Sequence, residues 1–378
     1  MASLSEILRA EIARSGPMPF RRFMELALYE PTHGYYAGGR AAIGRRGDYL
    51  TSVSVGPLFG RLLAVQFEEM WERLERPARF EVLEQGANNG DFAHDVLCAA
   101  QRSPAFYEAL RYGIAEPFAL NAARQQERLG GFGDKVRWHA SLEAHPTFTG
   151  VHFSNELVDA FPVHRVTFRR GEWRECYVDA NAHSGGLCWA EGPLSTPALA
   201  AFLPHLPPVE GYETEINLAA PAWMEAVAGR LERGYALVAD YGFSRADYYL
   251  PERTRGTLAA YRDHRVSEDV LADPGGQDIT AHVDFTTLAE RAAMAGLALV
   301  GFTDQHHFLA ALGRSVFPDI TDPAQLTPAR QKEMRAFATL THPTLLGRAF
   351  QFLALAKNAP SDLRGYAFAR APSHFFTS

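Results

Sequence analysis

Cysteine is scarce in this sequence, and a long apolar run is missing. The three cysteines, Cys98, Cys176 and Cys188, show no paired spacing. Zinc sites need two or more close pairs of cysteine or histidine, so the sequence predicts no metal site. An odd number of cysteines, with an N-terminus too polar for a secretory signal, is typical of a reducing compartment. These features predict a cytoplasmic protein.

A basic charge balance is also missing. The net charge is -7 and the pI is about 6.1, whereas a broad nucleic-acid-binding surface needs a basic excess, so no nucleic-acid partner is predicted. No apolar run approaches the roughly 18 residues of a transmembrane helix, so no membrane span is predicted. The chain does contain 47% hydrophobic and 21% charged residues, which is typical of a globular protein with one large domain or two.

Strand-like and helical segments alternate after residue 79. Short apolar runs typical of strands occur at 80–84, 111–116, 135–140, 150–156, 235–242 and 297–303, and one more at 346–357. Amphipathic helical segments separate most of them. This alternation predicts an α/β fold with a doubly wound sheet.

The remaining segments predict additions to that sheet. Residues 1–79 are mostly helix and glycine-rich loop, and they are expected to form an N-terminal helical lid. The sheet domain is then predicted to span 80–378, with an insertion at about 161–220. Within it, residues 163–192 alternate like a β-ribbon.

The segment "FEVLEQGANNGDFAHDVL" (80–97) has the pattern of a strand, a glycine turn and a helix. Its glycines, Gly86 and Gly90, give G-x-x-x-G, which fails the G-x-G-x-x-G fingerprint and argues against NAD. The segment does fit the [ED]-x-G-x-G-x-G loop that binds S-adenosylmethionine, with Glu84 first and Asn88 in place of the middle glycine. Asparagine tolerates a positive φ better than most residues, so Asn88 can preserve the backbone path.

A second carboxylate strengthens the prediction of a cofactor site. Glu116 ends the next predicted strand, 26 residues after Gly90, where an acid can accept hydrogen bonds from both ribose hydroxyls. The alternative is a helix N-terminal acid that the helix dipole favours. The predicted cofactor contacts of these segments are Glu84, Gly86, Ala87, Asn88, Gly90 and Glu116.

Several longer blocks resemble one known family. "GPMPFRRFMELALYEPTHGYY" (16–36), "NELVDAFPVHRV" (155–166) and "QDITAHVDFTTLAERA" (277–292) occur in the order found in the MidA/NDUFAF7-like methyltransferases, and the resemblance covers nearly the whole chain. It implies a class I methyltransferase fold, a Rossmann-like seven-stranded sheet with an antiparallel last strand. It also implies S-adenosylmethionine as cofactor, with S-adenosylhomocysteine as product.

The resemblance also implies an acceptor. Members are similar to protein arginine methyltransferases, and the mitochondrial branch methylates an arginine of a complex I subunit. The chain departs from the family pattern at "GANNG", where members carry "GPGRG" or similar, and at Val53 and Ser54, where they carry Pro-Glu. These departures put a divergent substrate or a reduced activity among the expectations.

The residues after the fourth predicted sheet strand are candidates for the chemistry. If the turn there is helical, Glu156 and Asp159 lie on one face and can hold a guanidinium group. His282, just before a predicted helix, is a second candidate base. Solvated acids and a structural histidine are the alternatives. Further predicted cofactor contacts are Thr51, Ser52, Ser141, Leu142 and Asn155.

The sequence leaves three other functions open. A methyltransferase could act on a small-molecule oxygen or carboxylate, or the fold could persist in a non-catalytic assembly factor. An NAD oxidoreductase comes last because of the glycine spacing. The acceptor is therefore predicted to be a protein or a small molecule, and apolar helix faces in 1–79 make a homodimer possible.

Overall fold

The computed structural model describes residues 3–38, 51–181, 185–262, 265–317 and 327–369. Its helices are α1 (Leu4–Ser15), α2 (Phe20–Tyr29), α3 (Leu58–Arg73), α4 (Asp91–Ala100), α5 (Pro104–Ala109), α6 (Ala119–Leu129), α7 (Ala219–Arg230), α8 (Arg245–Tyr248), α9 (Phe285–Met294), α10 (Gln305–Val316) and α11 (Pro328–Thr341). Within these ranges, no helix combines the length and the apolar character that a bilayer crossing requires.

The seven strands predicted after residue 79 for the central sheet begin and end within about four residues of their predicted positions, and further strands accompany them. They are β1 (Met18–Pro19), β2 (Phe80–Gln85), β3 (Leu110–Ala115), β4 (Val136–His139), β5 (Phe148–Asn155), β6 (His164–Arg169), β7 (Glu172–Ala180), β8 (Leu187–Gly192), β9 (Glu213–Ile216), β10 (Leu231–Phe243), β11 (Ala259–Arg262), β12 (Arg265–Ser267), β13 (Asp278–Thr280), β14 (Val283–Asp284), β15 (Ala298–Asp304) and β16 (Phe350–Lys357).

The chain divides into two units. The central-sheet unit comprises the described residues of Leu50–Leu157, Trp223–Gly242 and Phe285–Ser378, and the ribbon unit comprises those of Met1–Tyr49, Val158–Ala222 and Phe243–Asp284. This division differs from the predicted boundary at residue 79. The reason is that α3 contributes fully buried residues, such as Phe59 and Phe67, to the core around the central sheet.

The central sheet has the strand order β15-β16-β10-β5-β2-β3-β4. Strands β10, β5, β2, β3 and β4 pair in parallel. Strand β16 lies antiparallel between β10 and β15. The predicted doubly wound seven-stranded sheet with an antiparallel last strand is therefore confirmed.

Burial on both faces explains the apolar runs of these strands. Val82 and Leu83 of β2 are adjacent and point to opposite faces, yet neither is exposed, as expected for a parallel sheet covered on both sides. On one face, Phe153 of β5 stacks on Phe92 of α4 with ring centroids 4.5 Å apart. Each such buried side chain contributes roughly 1.5–3 kcal/mol to stability. The packing fixes α4, and with it the loop that precedes α4.

The ribbon unit is built on antiparallel pairs. Strands β6, β7 and β8 form the predicted β-ribbon, extended by β1 beside β7 and by β9 beside β6. Inside it, His164 Nδ1 lies 2.8 Å from the buried Glu175 carboxylate. A second sheet has the order β12-β11-β13. The β-ribbon prediction is thus confirmed.

Candidate functional site

The loop between β2 and α4 has the backbone that a glycine-rich turn requires. The φ angles of Gly86, Asn88 and Gly90 are 79°, 45° and 81°, and the Gly90 amide donates to the Ala87 carbonyl at 2.7 Å. Asn88 therefore adopts the left-handed conformation that a glycine would adopt readily. Helix α4 begins at Asp91, so its free N–H groups lie directly after this turn.

Glu84 lies inside the sheet at the end of β2. Its side chain is 3% exposed, and the Tyr112 hydroxyl donates to its Oε2 at 2.8 Å. Burial raises the pKa of Glu84 to about 8, against which the Tyr112 hydrogen bond acts. The carboxyl group is thus mostly protonated at neutral pH. Its contact with the cofactor stays a prediction.

Glu116 follows β3 and is held from two sides. Its Oε1 accepts from the Phe118 amide at 3.0 Å, and its Oε2 accepts from Gln125 Nε2 at 2.8 Å. Its own amide donates to the His139 carbonyl at 2.9 Å. Burial raises the pKa of Glu116, and these hydrogen bonds oppose the rise. The Asn121 side chain also hydrogen-bonds this carboxylate. The two oxygens together offer about four acceptor positions, so an acceptor position remains for the ribose.

Thr51 and Ser52 make internal hydrogen bonds. The Thr51 hydroxyl accepts from the Ser54 amide at 3.1 Å, and the Thr51 amide donates to the Ser54 hydroxyl at 3.0 Å. Ser52 is fully buried and donates to Gln305 Oε1 at 2.8 Å. These bonds fix the short turn that precedes α3, and contact of either residue with a cofactor stays a prediction.

Ser141 and Leu142 follow β4. Ser141 Oγ accepts from the Ala144 amide at 3.2 Å, and Leu142 is buried, with its carbonyl accepting from the His145 amide at 3.1 Å. The pair therefore starts a turn beyond the same edge of the sheet as Glu116. Their cofactor contacts also stay predictions.

The turn after β5 is not the helix expected there. Glu156 has a φ of 53°, and its amide donates to the Ala239 carbonyl of β10 at 3.0 Å. The Leu157 amide donates to Asp240 Oδ2 at 3.2 Å. Because these bonds tie the chain to the end of β10, the only helical turn here is the 3₁₀ turn Val158–Ala160. Glu156 and Asp159 are therefore not i, i+3 partners on one helix face.

The carboxyl end of β5 carries buried polar atoms without partners. Asn155 Nδ2 donates to Glu156 Oε1 at 2.9 Å. Ser154 Oγ and Asn155 Oδ1, however, have no hydrogen-bond partner within the described part of the chain. Leaving such groups unpaired costs about 1–3 kcal/mol each. A ligand at this edge of the sheet, on the face that carries α4, would satisfy Asn155 Oδ1, whereas Ser154 points to the opposite face.

The other two catalytic candidates belong to the ribbon unit. Asp159 is buried, and its carbonyl accepts from the Ala281 amide at 2.9 Å. His282 stacks on Phe243 with ring centroids 5.3 Å apart. Burial, and then the charge of Arg253, lower the pKa of His282 to about 4. The imidazole is therefore neutral at pH 7, and the same lowered pKa makes it a weak proton acceptor.

Gln125 of α6 contacts two of the predicted site residues, and the sequence analysis did not identify it. It is fully buried, and its amide joins Glu116, Trp138 and the Asn88 carbonyl. Gln125 and Leu129 are the buried residues of α6, and they are spaced i, i+4. A polar residue on the apolar stripe of a helix is the signal that could have identified it.

A cluster of Glu81, His139 and His145 resembles a metal site. One potential ligand atom from each lies within 4.8 Å of the others. His145 Nε2 is, however, 2.9 Å from Glu81 Oε1, and its Nδ1 is 2.6 Å from the Pro146 carbonyl. Ligand atoms of a tetrahedral zinc ion stand about 3.4 Å apart. The Pro146 carbonyl and the Glu81 carboxylate therefore occupy both ring nitrogens, and these hydrogen bonds, with Arg79 3.2 Å from Glu81, explain the cluster.

Comparison with known proteins agrees with this geometry. Residues 62–303 match a family model described as S-adenosyl-L-methionine-dependent methyltransferase. The chain is 29% identical to the Drosophila melanogaster protein arginine methyltransferase NDUFAF7 homolog, mitochondrial, over 93% of this chain and 84% of that protein. It is 28% identical to the human protein arginine methyltransferase NDUFAF7, mitochondrial, over 92% and 82%.

A solved structure shows the same fold. A protein from Burkholderia thailandensis, crystallised with S-adenosyl-homocysteine, superposes with a TM-score of 0.89 at 33% identity. The match covers 98% of this chain and 96% of that chain. The predicted class I methyltransferase fold and the predicted cofactor are confirmed.

The predicted cytoplasmic location is contradicted. The fly and human relatives are mitochondrial proteins by name, and the rat relative, 27% identical over 92% of this chain, is too. The prediction relied on an odd cysteine count and a polar N-terminus. Both features are compatible with more than one reducing compartment, so they could not distinguish between them.

Proposed function

This chain belongs to the family of S-adenosyl-L-methionine-dependent methyltransferases, and we propose that its methyl acceptor is an arginine side chain of a protein. The names of the fly and human relatives support the acceptor class. The observation that carries the proposal is the turn after β5. It holds the Glu156 carboxylate at the edge of the sheet that also carries the glycine loop and Glu116.

The residues at this edge fit the cofactor. Gly86, Asn88 and Gly90 all have a positive φ, which gives this loop the backbone path of a glycine-rich cofactor loop. Glu116 would accept hydrogen bonds from the ribose hydroxyls, and the buried Oδ1 of Asn155 would gain a partner. When bound, S-adenosylmethionine supplies a methyl group on a positively charged sulfur atom.

An arginine that accepts the methyl group requires a neighbouring carboxylate for two reasons. A guanidinium group is protonated in water and pairs with a carboxylate through two parallel hydrogen bonds. Glu156 would hold the group in this way, which orients one nitrogen toward the methyl group. The proton must leave as the methyl is transferred, and Glu156 would accept it. His282, whose pKa is lowered to about 4 and which is therefore a weak base, and Asp159 stay predictions as catalytic residues.

Two measurements test the proposal in sequence. Calorimetry with S-adenosylhomocysteine tests the cofactor site, and Glu116→Ala should weaken binding about 10- to 100-fold, because it removes hydrogen bonds to a charged group. Transfer of a labelled methyl group to proteins of a cell extract, followed by acid hydrolysis, identifies the acceptor. Methylated arginine is the expected product.

Glu156→Gln then tests the carboxylate. We expect the rate of transfer to fall about 100-fold or more, with S-adenosylhomocysteine affinity retained. Glu127→Gln, the same change at an exposed position of α6, is the matched control. A labelled small molecule in place of methylated arginine would refute the protein acceptor. Binding without transfer to any acceptor would indicate the non-catalytic assembly factor.

A further inference from the structure

The side-chain amide of Gln125 connects three separate parts of the central-sheet unit. Its Nε2 donates to Glu116 Oε2 at 2.8 Å and to the Asn88 carbonyl at 2.8 Å. Its Oε1 accepts from Trp138 Nε1 at 3.1 Å. One buried amide therefore contacts the segment after β3, the glycine loop and β4.

The orientation of this amide is determined by its partners. The indole of Trp138 can only donate, so Gln125 Oε1 must face it. The Asn88 carbonyl and the Glu116 carboxylate can only accept, so both protons of Nε2 are used. Exchanging the positions of Oε1 and Nε2 would place donor against donor and acceptor against acceptor, so only one orientation of the amide is possible. Because Gln125 is fully buried, water cannot replace any of these hydrogen bonds.

The two acceptors of Nε2 are the groups that need positioning. Asn88 has a φ of 45°, a conformation that residues other than glycine adopt only at a cost in free energy. The Glu116 carboxylate must present its remaining lone pairs in one direction, and Gln125 holds its Oε2 while the Phe118 amide holds its Oε1. A single donor that binds both acceptors fixes the loop and the carboxylate relative to each other.

We propose that Gln125 is a positioning residue for the cofactor, which aligns the Glu116 carboxylate with the ribose hydroxyls and holds the Asn88 turn in its left-handed conformation. The inference rests on the proposed role of Glu116. In this chain Asn88 stands where glycine is common in such loops, so the hydrogen bond to its carbonyl offsets a strain that a glycine would not have.

Gln125→Glu is the most direct test. The substitution keeps an oxygen for Trp138 and nearly the same shape, but it places an oxygen against Glu116 and against the Asn88 carbonyl. We expect the affinity for S-adenosylhomocysteine to fall about tenfold or more, and kcat at saturating cofactor to stay within about twofold. The preference of the wild type for adenosine over 2′,3′-dideoxyadenosine as competing ligands should disappear.

Two further variants separate positioning from folding. Gln126→Glu makes the same change at the next, exposed residue of α6 and should leave affinity unchanged. Gln125→Met removes all three hydrogen bonds without adding a charge, and it replaces Gln125→Glu if the latter does not fold. In an Asn88→Gly background the loss caused by Gln125→Met should be smaller, because glycine needs no support at that turn.

The outcomes distinguish this inference from the proposed function. If the wild type does not bind S-adenosylhomocysteine, the proposed function is wrong. If the wild type binds it and both Gln125 variants bind it within about twofold, Gln125 is only structural and the inference is wrong. An affinity loss with the adenosine preference intact would equally refute the alignment of Glu116.

Discussion

Strand β2 carries one buried glutamate near each end, and the two have opposite surroundings. Near the amino end, Glu81 pairs with His145 at 2.9 Å and with Arg79 at 3.2 Å. Burial alone would raise the pKa of Glu81, but the hydrogen bond and charge of His145, with Arg79, hold it below its usual value. Near the carboxyl end, Glu84 has one neutral partner, Tyr112, and burial raises its pKa to about 8.

The difference separates two uses of a buried acid. Glu81 is charged, and its pairing with His145 and Arg79 holds the segments that carry these residues together. Glu84 remains protonated at neutral pH, so the end of β2 that leads into the cofactor loop carries no fixed negative charge. The protonated Glu84 side chain therefore does not repel other carboxylates at the same edge of the sheet, such as Glu116.

Breaking the pair of Glu81 with His145, near the amino end of β2, should have the largest effect on stability. His145→Leu leaves Glu81 buried with only the partly exposed Arg79, and we expect the free energy of unfolding to fall by about 3 kcal/mol. Urea unfolding at pH 7 measures this, and S-adenosylhomocysteine affinity should stay within about twofold. His205→Leu, at an exposed histidine, should change stability by less than about 0.5 kcal/mol. A loss under about 1 kcal/mol for His145→Leu would contradict the ion pair.

The pH dependence of the two glutamates should have opposite signs. The pKa of Glu84 rises from 4.5 to about 8 on folding. Between these values the unfolded chain releases a proton that the folded protein keeps, so wild-type stability falls as pH rises. Glu84→Gln cannot ionise, and its stability relative to wild type should increase by about 1 kcal/mol per pH unit across this window.

Glu81→Gln is the matched control for that experiment. Because the pKa of Glu81 is lowered on folding, its ion pair stabilises the protein fully above the unfolded pKa, and this contribution is lost as pH falls through the folded pKa. Urea unfolding from pH 3.5 to 8 measures both variants. If the two substitutions give parallel pH profiles, the contrast between the ends of β2 is wrong.

Beyond the carboxyl end of β2, Asn88→Gly should have the smallest effect. Removing the cost of a positive φ should stabilise the protein by at most about 1 kcal/mol, and S-adenosylhomocysteine affinity should change by less than about threefold. Asn358→Gly makes the same change at an exposed residue with a φ of 51°. It also removes a hydrogen bond to the Glu232 carbonyl, so it controls for binding, which it should not affect. A large affinity loss for Asn88→Gly would mean that the asparagine side chain itself contacts the cofactor.

Much of the central-sheet unit was predictable because its strands are buried on both faces. Apolar runs such as 80–84 and 150–156 mark β2 and β5 within a few residues, and glycine spacing identified the loop. The conformation of Asn88 followed from a general tolerance of asparagine for positive φ. These are local properties, which the order of residues encodes directly.

The parts that failed depend on contacts between distant residues. Gln125 binds Asn88, 37 residues earlier in the chain, and no local pattern specifies that bond. Glu156 adopts its positive φ where its amide bonds to Ala239 of β10. Helix α3 was predicted to be part of the lid. An amphipathic pattern shows that one helix face is buried, but it does not show against which core that face packs.

The position of β16 has a consequence for how the protein is made. This strand lies between β10 and β15, but it leaves the ribosome after both of them. Until it arrives, β10 and β15 each lack a hydrogen-bonded neighbour on that side, and such open strand edges invite pairing with other chains. Completion of the sheet therefore waits for residues 350–357, and a nascent chain that stalls before them would be a substrate for chaperones.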